Sequence, residues 1–318
     1  MKRLFFSAII LLAVIGAEAQ TPRINIQEPK LYPEGTAYNS NTNLFFVSSV
    51  KTGTIGTVDA QGNYKVFYKD ASLKSSYGMK VDTKSNRLWV CIGDANYSDY
   101  SDSLTYKKMI RLISFDLASS KKINDIDLSG LFEGKHFGND LALDDKGNIY
   151  VTDSYSPVIY KVDAQGKASL FAQSDLFKGE QVGLNGIVWS PKGYLVVVND
   201  NNGELLKIDI NNPKSITKVK VNNFFTGGDG LLWDAENNLI LIQNSTNKVY
   251  QLTSKDNWMT AEVKASTAME DRFSYPTTGV IGQGKLYALN AKLNELNDPT
   301  KPPSKEFSLQ LVQLKPAQ

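Results

Sequence analysis

FGNDLALDDKGNIYVTD, residues 137–153, contains two short apolar strands joined by an Asp-Lys-Gly-Asn turn. The second strand, Ile149-Tyr-Val-Thr, is rich in the β-branched and aromatic residues that favour strands, and polar residues with glycine suit a tight connection. The same order of turn, strand, turn and strand recurs five times: PEGTAYNSNTNLFFVSS (33–49), SYGMKVDTKSNRLWVCI (76–92), GLNGIVWSPKGYLVVVN (183–199), GGDGLLWDAENNLILIQ (227–243) and YPTTGVIGQGKLYALN (275–290). The segment is therefore one copy of an internal repeat, and the repeat decides the fold.

The spacing of the six copies indicates the architecture. We call the residue just before the first strand of each copy its marker residue; the markers are Glu34, Tyr77, Asn139, Asn185, Asp229 and Thr278, separated by 43, 62, 46, 44 and 49 residues. A period in the forties is typical of β-propeller blades. A β-sandwich does not account for one motif recurring six times, and sustained 3.6-residue periodicity, which an α/β fold requires, is missing. We predict an all-β, six-bladed β-propeller with four antiparallel strands per blade.

The two ends of the repeat region indicate how the ring closes. The last copy is followed by one further strand, Phe307–Leu314, which leaves the sixth blade one strand short. The segment Arg23–Glu28 precedes the first copy and alternates polar and apolar residues. We predict that this N-terminal strand completes the last blade, because closure removes free sheet edges.

The first nineteen residues have the features of a secretory signal peptide. Lys2 and Arg3 precede an apolar run from Leu4 to Gly16, and Ala17-Glu18-Ala19 is a small-residue cleavage pattern. The run is short for a membrane span, and no second long apolar run follows it. We expect residues 1–19 to be removed, residues 20–318 to form a single propeller domain, and the protein to be exported to a periplasm or the medium without a membrane partner.

Charge and cysteine content limit the partners. The chain has 35 Lys and Arg against 33 Asp and Glu residues and no basic block, so the electrostatic footprint of a nucleic-acid-binding protein is missing. Cys91 is the only cysteine and lies in the apolar stretch Leu88–Ile92, which favours a buried thiol over a nucleophile. We expect a small-molecule partner and a monomeric protein.

Four of the six markers carry oxygen acceptors. An Asn-Gly or Asp-Gly dipeptide alone is an ordinary turn signal. In a propeller, however, the first strand of each blade lines the central channel, so equivalent positions form a ring at one end of it. Two carboxylates in a narrow channel repel each other unless a cation lies between them. We therefore predict one divalent metal ion, with the ligands Glu34, Asn139, Asn185 and Asp229.

The ligand types indicate which metal. Oxygen-only ligation with two negative charges favours Ca²⁺, with Mg²⁺, Mn²⁺ or Zn²⁺ as alternatives. Four protein ligands leave positions for water and substrate, which is the arrangement of a catalytic site.

The ordered set Pro33-Glu34-Gly35, Gly138-Asn139-Asp140, Asn185-Gly186-Ile187 and Asp229-Gly230 resembles the senescence-marker/regucalcin and gluconolactonase family, with the paraoxonase lactonases as more distant relatives. The resemblance covers the whole mature chain. It implies a six-bladed propeller in which Glu34, Asn185 and Asp229 bind a divalent metal and Asn139 binds metal or substrate. It also implies hydrolysis of a lactone, with Asp229 as the catalytic general base.

Three residues depart from that family or extend it. Phe137 stands two residues before Asn139, where members acting on sugar lactones tend to carry arginine, and Tyr77 stands where the paraoxonases have a catalytic histidine. His136 is the only histidine, which excludes a histidine pair. It either contacts the substrate or has no role; Tyr77 either hydrogen-bonds the substrate or fills the channel. Together with Asn139, both are our candidate substrate-binding residues.

Two long loops are expected on the marker face of the ring, since each second strand returns toward it. They are 93–108, rich in tyrosine, and 292–306, with three prolines. We assign substrate selection to the first, with a solvated polar excursion as the alternative. Residues at the ends of second strands should form a polar funnel: Asp153, Asn199, Asp200, Asn244 and Asn290.

Together these inferences predict a divalent-metal-dependent hydrolase that opens a lactone. One alternative is a non-catalytic propeller that binds a carbohydrate or protein partner and holds a structural ion. Another is a hydrolase of a different ester, such as a phosphotriester, at the same metal. The fold does not choose among them, because propellers serve many functions.

Overall fold

A computed structural model describes residues 22–268 and 272–317 of the chain. The predicted signal peptide, residues 1–19, lies outside the described residues. Within them, no helix is long and apolar enough to cross a membrane.

The fold is an all-β, six-bladed β-propeller, as the repeat predicts. Blades one to five each contain four antiparallel strands paired in chain order. The first strands contact one another in a closed ring, so they surround the central channel. The strands of blades one to five are β2 (Thr36–Asn39), β3 (Leu44–Val47), β4 (Ile55–Val58), β5 (Tyr64–Tyr68); β6 (Ser75–Asp82), β7 (Arg87–Gly93), β8 (Ile110–Asp116), β9 (Lys122–Asp127); β10 (Gly138–Leu143), β11 (Ile149–Asp153), β12 (Val158–Val162), β13 (Ala168–Gln173); β14 (Leu184–Ser190), β15 (Tyr194–Asn199), β16 (Leu205–Asp209), β17 (Ile216–Lys218); and β18 (Gly228–Trp233), β19 (Leu239–Gln243), β20 (Lys248–Thr253), β21 (Glu262–Ser266).

The sixth blade joins the two ends of the chain. Its strands are β22 (Pro276–Gly282), β23 (Lys285–Asn290), β24 (Phe307–Leu311) and β1 (Arg23–Ile26). Strand β1 pairs antiparallel with β24, with Ile26 opposite Phe307 and both side chains buried. The prediction that the N-terminal strand completes the last blade is confirmed.

The C-terminal strand is shorter than expected. It ends at Leu311, and the chain then crosses to the fifth blade, where β25 (Lys315–Pro316) pairs with β21. Val312 and Leu314 pack there against a core cluster that contains Ile240 and Phe273. Burial of these two apolar side chains explains why the chain leaves the sixth blade.

The core lies between the blades. The second strands of the third, fourth and fifth blades are buried along their whole length, which suits their Val, Ile and Leu content. Cys91 in β7 is a fully buried free thiol, as predicted, and burial raises its pKa. Short 3₁₀ helices connect some blades or lie in their loops: Ala71–Leu73, Ser129–Leu131, Asp175–Phe177 and Leu293–Asn297.

Candidate metal centre

The marker residues of blades two to six lie inside the inner strands at β-bulges, whereas Glu34 precedes β2 as expected. The pairing of first and second strands shifts register at this point in blades two to six; in β14, for example, the irregularity falls between Leu184 and Ile187. Asn185 and the residue after it are thus released from the ladder, and a bulge re-aims the side chain. In the first blade, the Ser48 hydroxyl accepts hydrogen bonds from the backbone N–H groups of Glu34 (3.0 Å) and Gly35 (2.7 Å).

Glycines next to the markers allow the inner strands to approach closely. A Cβ atom on Gly186 would lie 2.2 Å from the backbone oxygen of Asp229, and one on Gly35 would lie 2.2 Å from that of Tyr77. The third blade carries Asp140 at this position instead. The glycines therefore bring the marker residues of neighbouring blades together around a narrow channel.

A cavity of about 770 Å³ opens at the marker end of the channel. All four predicted ligands line it, and their side chains are nonetheless buried, with exposed fractions of 3–6%. The structure thus brings the predicted metal-ligand set together at one place: Glu34, Asn139, Asn185 and Asp229.

Three of these side chains have buried acceptor atoms without a hydrogen-bond donor. They are Glu34 Oε2, Asn139 Oδ1 and Asn185 Oδ1. A buried acceptor without a donor costs about 1–3 kcal/mol, so three at one site require a common partner. A hard divalent cation fits this donor set of carboxylate and amide oxygens. In the described part of the chain, no group of three or more His, Cys, Asp and Glu side chains is arranged to hold a metal; this centre has only two carboxylates, and amides supply the rest.

Asp229 is held by a neighbour on the same blade. The Asn244 side-chain N–H donates to Asp229 Oδ2 at 2.9 Å. Asp229 also lines the cavity, and no other side-chain donor among the described residues bonds to its carboxylate. Sequence reasoning placed Asn244 only in a polar funnel, because its distance from Asp229 in the chain gives no sign of this bond.

Burial and mutual repulsion raise the pKa values of the two carboxyl groups of this centre, Glu34 and Asp229. Desolvation, assisted by Asp140, raises the pKa of Glu34 to about 8, against a lowering effect of Lys80. Desolvation followed by the charge of Glu34 raises the pKa of Asp229. Both directions are those expected of negative charges that lack a cation.

One ion pair lies just inside the ring. Lys80 Nζ is 3.3 Å from Asp140 Oδ1, and both residues line a water-sized recess next to the four ligands. Because Asp140 is paired with a lysine, its charge is partly compensated without the cation. In this respect Asp140 differs from the ring carboxylates Glu34 and Asp229.

The structure distinguishes the two other candidate substrate-binding residues, Tyr77 and His136. Tyr77 lines the cavity, its hydroxyl accepts a hydrogen bond from the Ala95 N–H at 3.2 Å, and its ring packs on Phe137. His136 is not among the cavity-lining residues. Its Nδ1 lies 2.7 Å from Asp153 Oδ2, and the ring is 3% exposed. The buried pair therefore accounts for His136 without a substrate.

Both predicted loops border the cavity. The loop after β7 contributes Asn96, Tyr97 and Lys107, and the 3₁₀ helix after β23 contributes Leu293 and Asn297. The two loops touch, since the Tyr97 hydroxyl donates to Asn297 Oδ1 at 2.9 Å.

The polar funnel is only partly formed as expected. Asp200 and Asn244 line the cavity, whereas Asp153, Asn199 and Asn290 do not. These three side chains bond to neighbouring groups of the fold; Asn199, for example, donates to two backbone carbonyls, at 3.0 and 2.9 Å. Their prediction as funnel residues was wrong, because strand-end polar residues also serve to hold loops. Cavity residues that sequence reasoning did not assign to the site include Lys135, Tyr155, Glu180 and Tyr275.

The fold and the site define a class of protein: a six-bladed β-propeller with a centre of oxygen donors at one mouth of its channel. The chain belongs to the SMP-30/gluconolactonase/LRE-like family, whose model matches residues 32–291. This confirms the family expected from the marker residues. No curated protein sequence matches the chain significantly.

Solved structures share the fold at low sequence identity. The Malassezia sympodialis allergen Mala s 1 is 20% identical with a TM-score of 0.74, over 92% of this chain and 96% of that one. A Xanthomonas campestris gluconolactonase is 16% identical with a TM-score of 0.59, over 91% and 88%. A calcium-binding protein, regucalcin, from Agrobacterium tumefaciens is 15% identical with a TM-score of 0.60, over 90% and 92%.

Proposed function

We propose that this protein is a divalent-metal-dependent hydrolase that opens lactones. The observation that carries the proposal is the convergence of three buried, unpartnered acceptor atoms with the Asp229 carboxylate on one open cavity. Membership of the family and the gluconolactonase among the structural neighbours support this reaction class.

Glu34, Asn139, Asn185 and Asp229 would hold the cation, and Ca²⁺ is our first choice because oxygen donors with relaxed geometry suit it. A regucalcin neighbour described as calcium-binding supports that choice. The bound cation would supply Lewis-acid polarisation of the substrate carbonyl. The two amides are neutral, so they complete the donor set without adding negative charge.

Asp229 is the proposed general base. Asn244 donates to one oxygen of this carboxylate, and the carboxylate would accept a proton from the attacking water. The water oxygen then bonds to the carbonyl carbon, the ring C–O bond breaks, and the ring oxygen takes up a proton, giving a hydroxy acid. Tyr77 stays protonated, because burial raises the pKa of its phenol, and it forms part of the wall against which the substrate packs.

The proposal is tested by following lactone opening with a pH indicator. A panel varying in ring size and hydroxylation is assayed on Ca²⁺-loaded protein, on chelator-treated protein and on the Asp229→Ala variant. We expect metal removal to abolish turnover and Asp229→Ala to lower kcat by at least about 100-fold, in line with the loss of a general base. Unchanged turnover after metal removal has been verified would refute the mechanism, and full activity of the variant would remove Asp229 from the chemistry.

A further inference from the structure

Two lysines line the cavity without a carboxylate partner. Lys107 belongs to the loop after β7, and Lys135 to the connection between β9 and β10. Neither forms a salt bridge with any described residue, whereas ten other Lys and Arg side chains do so elsewhere in the part of the chain the structure describes. Two lysines without a salt-bridge partner thus line one cavity.

The backbone at both lysines is fixed by hydrogen bonds. Lys107 has a φ of 56°, a left-handed conformation that is unfavourable for a residue with a side chain. Its N–H donates to the Asp94 carbonyl at 2.7 Å, and its carbonyl accepts from the His136 N–H at 2.9 Å. The Lys135 carbonyl accepts from the Ser156 hydroxyl at 2.7 Å. Neighbouring elements therefore hold Lys107 in a strained conformation, which is common where a side chain must be aimed at a site.

Two aromatic rings flank the ammonium group of Lys107. Lys107 Nζ lies 5.1 Å from the centre of the Tyr155 ring and 5.2 Å from that of Tyr106. Tyr155 packs on Phe137, and both line the cavity. These rings restrict the position of the charge and exclude water from one side of it. We call this part of the wall, formed by Lys107, Lys135, Phe137 and Tyr155, the cationic sector.

The basic and the acidic residues of the outer cavity wall belong to different blades. The cationic sector belongs to blades two and three, while the acidic residues of the outer wall, Glu180 and Asp200, lie on the side of the fourth blade. The Glu180 N–H bonds to Asn201 Oδ1 of that blade at 3.2 Å. A substrate with a negative group is therefore attracted to one side of the cavity and repelled from the other.

We infer that the cationic sector binds an anionic group on the substrate, so that the preferred lactone carries a carboxylate. That the substrate is a lactone rests on the proposed function. That it carries a carboxylate rests on the two lysines. Charge-assisted hydrogen bonds to an ammonium group are strong enough to select an anion over its neutral isostere.

The test compares a matched pair of substrates. γ-Butyrolactone with a β-carboxylate and the corresponding β-carboxamide are nearly equal in shape and differ in charge. The ratio of their kcat/KM values is measured for the Ca²⁺-loaded wild-type protein and for Lys107→Met, Lys135→Met and the double variant. Lys192→Met is the control, since this exposed lysine lies in the turn between β14 and β15, away from the cavity.

We expect the carboxylate preference to fall about tenfold or more for each lysine removed, as for loss of a charged hydrogen bond, and to weaken with added salt. Lys192→Met should keep the wild-type ratio. Lys135→Met provides the result independently should Lys107→Met fail to fold. A ratio for the double variant within twofold of wild type would overturn the inference.

Binding measurements with compounds that cannot be hydrolysed test this inference independently of the proposed function. Cyclopentanone 3-carboxylate and its carboxamide resemble the lactones but have no ester to hydrolyse, and their affinities are measured by calorimetry on the same Ca²⁺-loaded proteins. Loss of carboxylate preference in the lysine variants without any lactone turnover would support the anion site and refute the lactonase. Turnover with no effect of the lysines on either ratio would support the lactonase and refute the anion site.

Discussion

Without a bound cation, the buried carboxylates of Glu34 and Asp229 lower the stability of the folded protein. Each carboxyl group is buried, and each has a pKa raised first by desolvation. A carboxyl group whose folded-state pKa exceeds its unfolded value binds protons more tightly in the folded state, so stability is lost as pH rises from the unfolded toward the folded pKa. For Glu34 this window runs from about 4.5 to about 8. The divalent cation of the proposed function would remove this cost by supplying the missing charge.

Glu34→Gln should therefore stabilise the protein in the presence of chelator while weakening Ca²⁺ binding. We expect a gain on the order of a few kcal/mol in the free energy of unfolding at pH 8, because the neutral amide avoids burial of a charge. The gain should shrink toward pH 5, where Glu34 is protonated in the wild type. Urea unfolding at the two pH values measures it, with the exposed Glu133→Gln as control. An equal effect at both pH values would contradict the electrostatic account.

Inner strands act here as devices for aiming side chains. A bulge frees the marker residue from the hydrogen-bond ladder. The glycine after it has no side chain, so the inner strand of the neighbouring blade can contact its backbone. Three glycines, Gly35, Gly186 and Gly230, follow predicted ligands and lie against the next blade in this way. The geometry of the ring thus depends on missing Cβ atoms as much as on the ligands.

Gly186→Ala should disturb both stability and metal binding. Its Cβ would lie 2.2 Å from the Asp229 carbonyl oxygen, so that the fourth and fifth blades must separate. We expect a loss of about 1–3 kcal/mol in unfolding free energy, typical of overpacking, and at least tenfold weaker Ca²⁺ binding by calorimetry.

Gly130→Ala is the matched control, because its Cβ would meet no atom within 4 Å. It should change stability by less than about 0.5 kcal/mol. Wild-type Ca²⁺ affinity in Gly186→Ala would show that close strand approach does not govern the centre.

The whole ring is closed by pairing between chain segments nearly 300 residues apart. Strand β1 completes the sixth blade through its pairing with β24, and β25 attaches the end of the chain to the fifth blade. We call this junction of β1, β24 and β25 the seam; no internal disulfide can hold it, since the chain has a single cysteine.

Ile26→Ala tests how much the seam contributes. Ile26 is fully buried opposite Phe307, so the smaller side chain should cost about 2–5 kcal/mol in unfolding free energy. Denaturant unfolding followed by fluorescence measures the loss, with Val66→Ala, 54% exposed on an outer strand, as control. Equal small losses in both variants would mean that β1 is dispensable for the ring.

The repeat made much of this structure predictable. Strand content, closure by residues 23–28 and the gathering of the four ligands follow from equivalent positions in equivalent blades. Interactions between non-equivalent positions were not predictable, such as the His136 pair with Asp153 or the bond from Asn244 to Asp229. These depend on side-chain reach across loops, which repeat spacing does not encode. The strand β25 was missed for a similar reason, since it lies outside every copy of the motif.

The marker ring repeats one chain position in six blades but carries different side chains there. Its donors come from blades one, three, four and five, while Tyr77 and Thr278 occupy blades two and six. A ring of six identical ligands would offer a substrate six equivalent orientations. This ring offers one, bounded by lysines on one side and carboxylates on the other. For a chiral lactone, the two enantiomers would therefore present their substituents to walls of opposite charge, and we expect the cavity to be a stereoselective one.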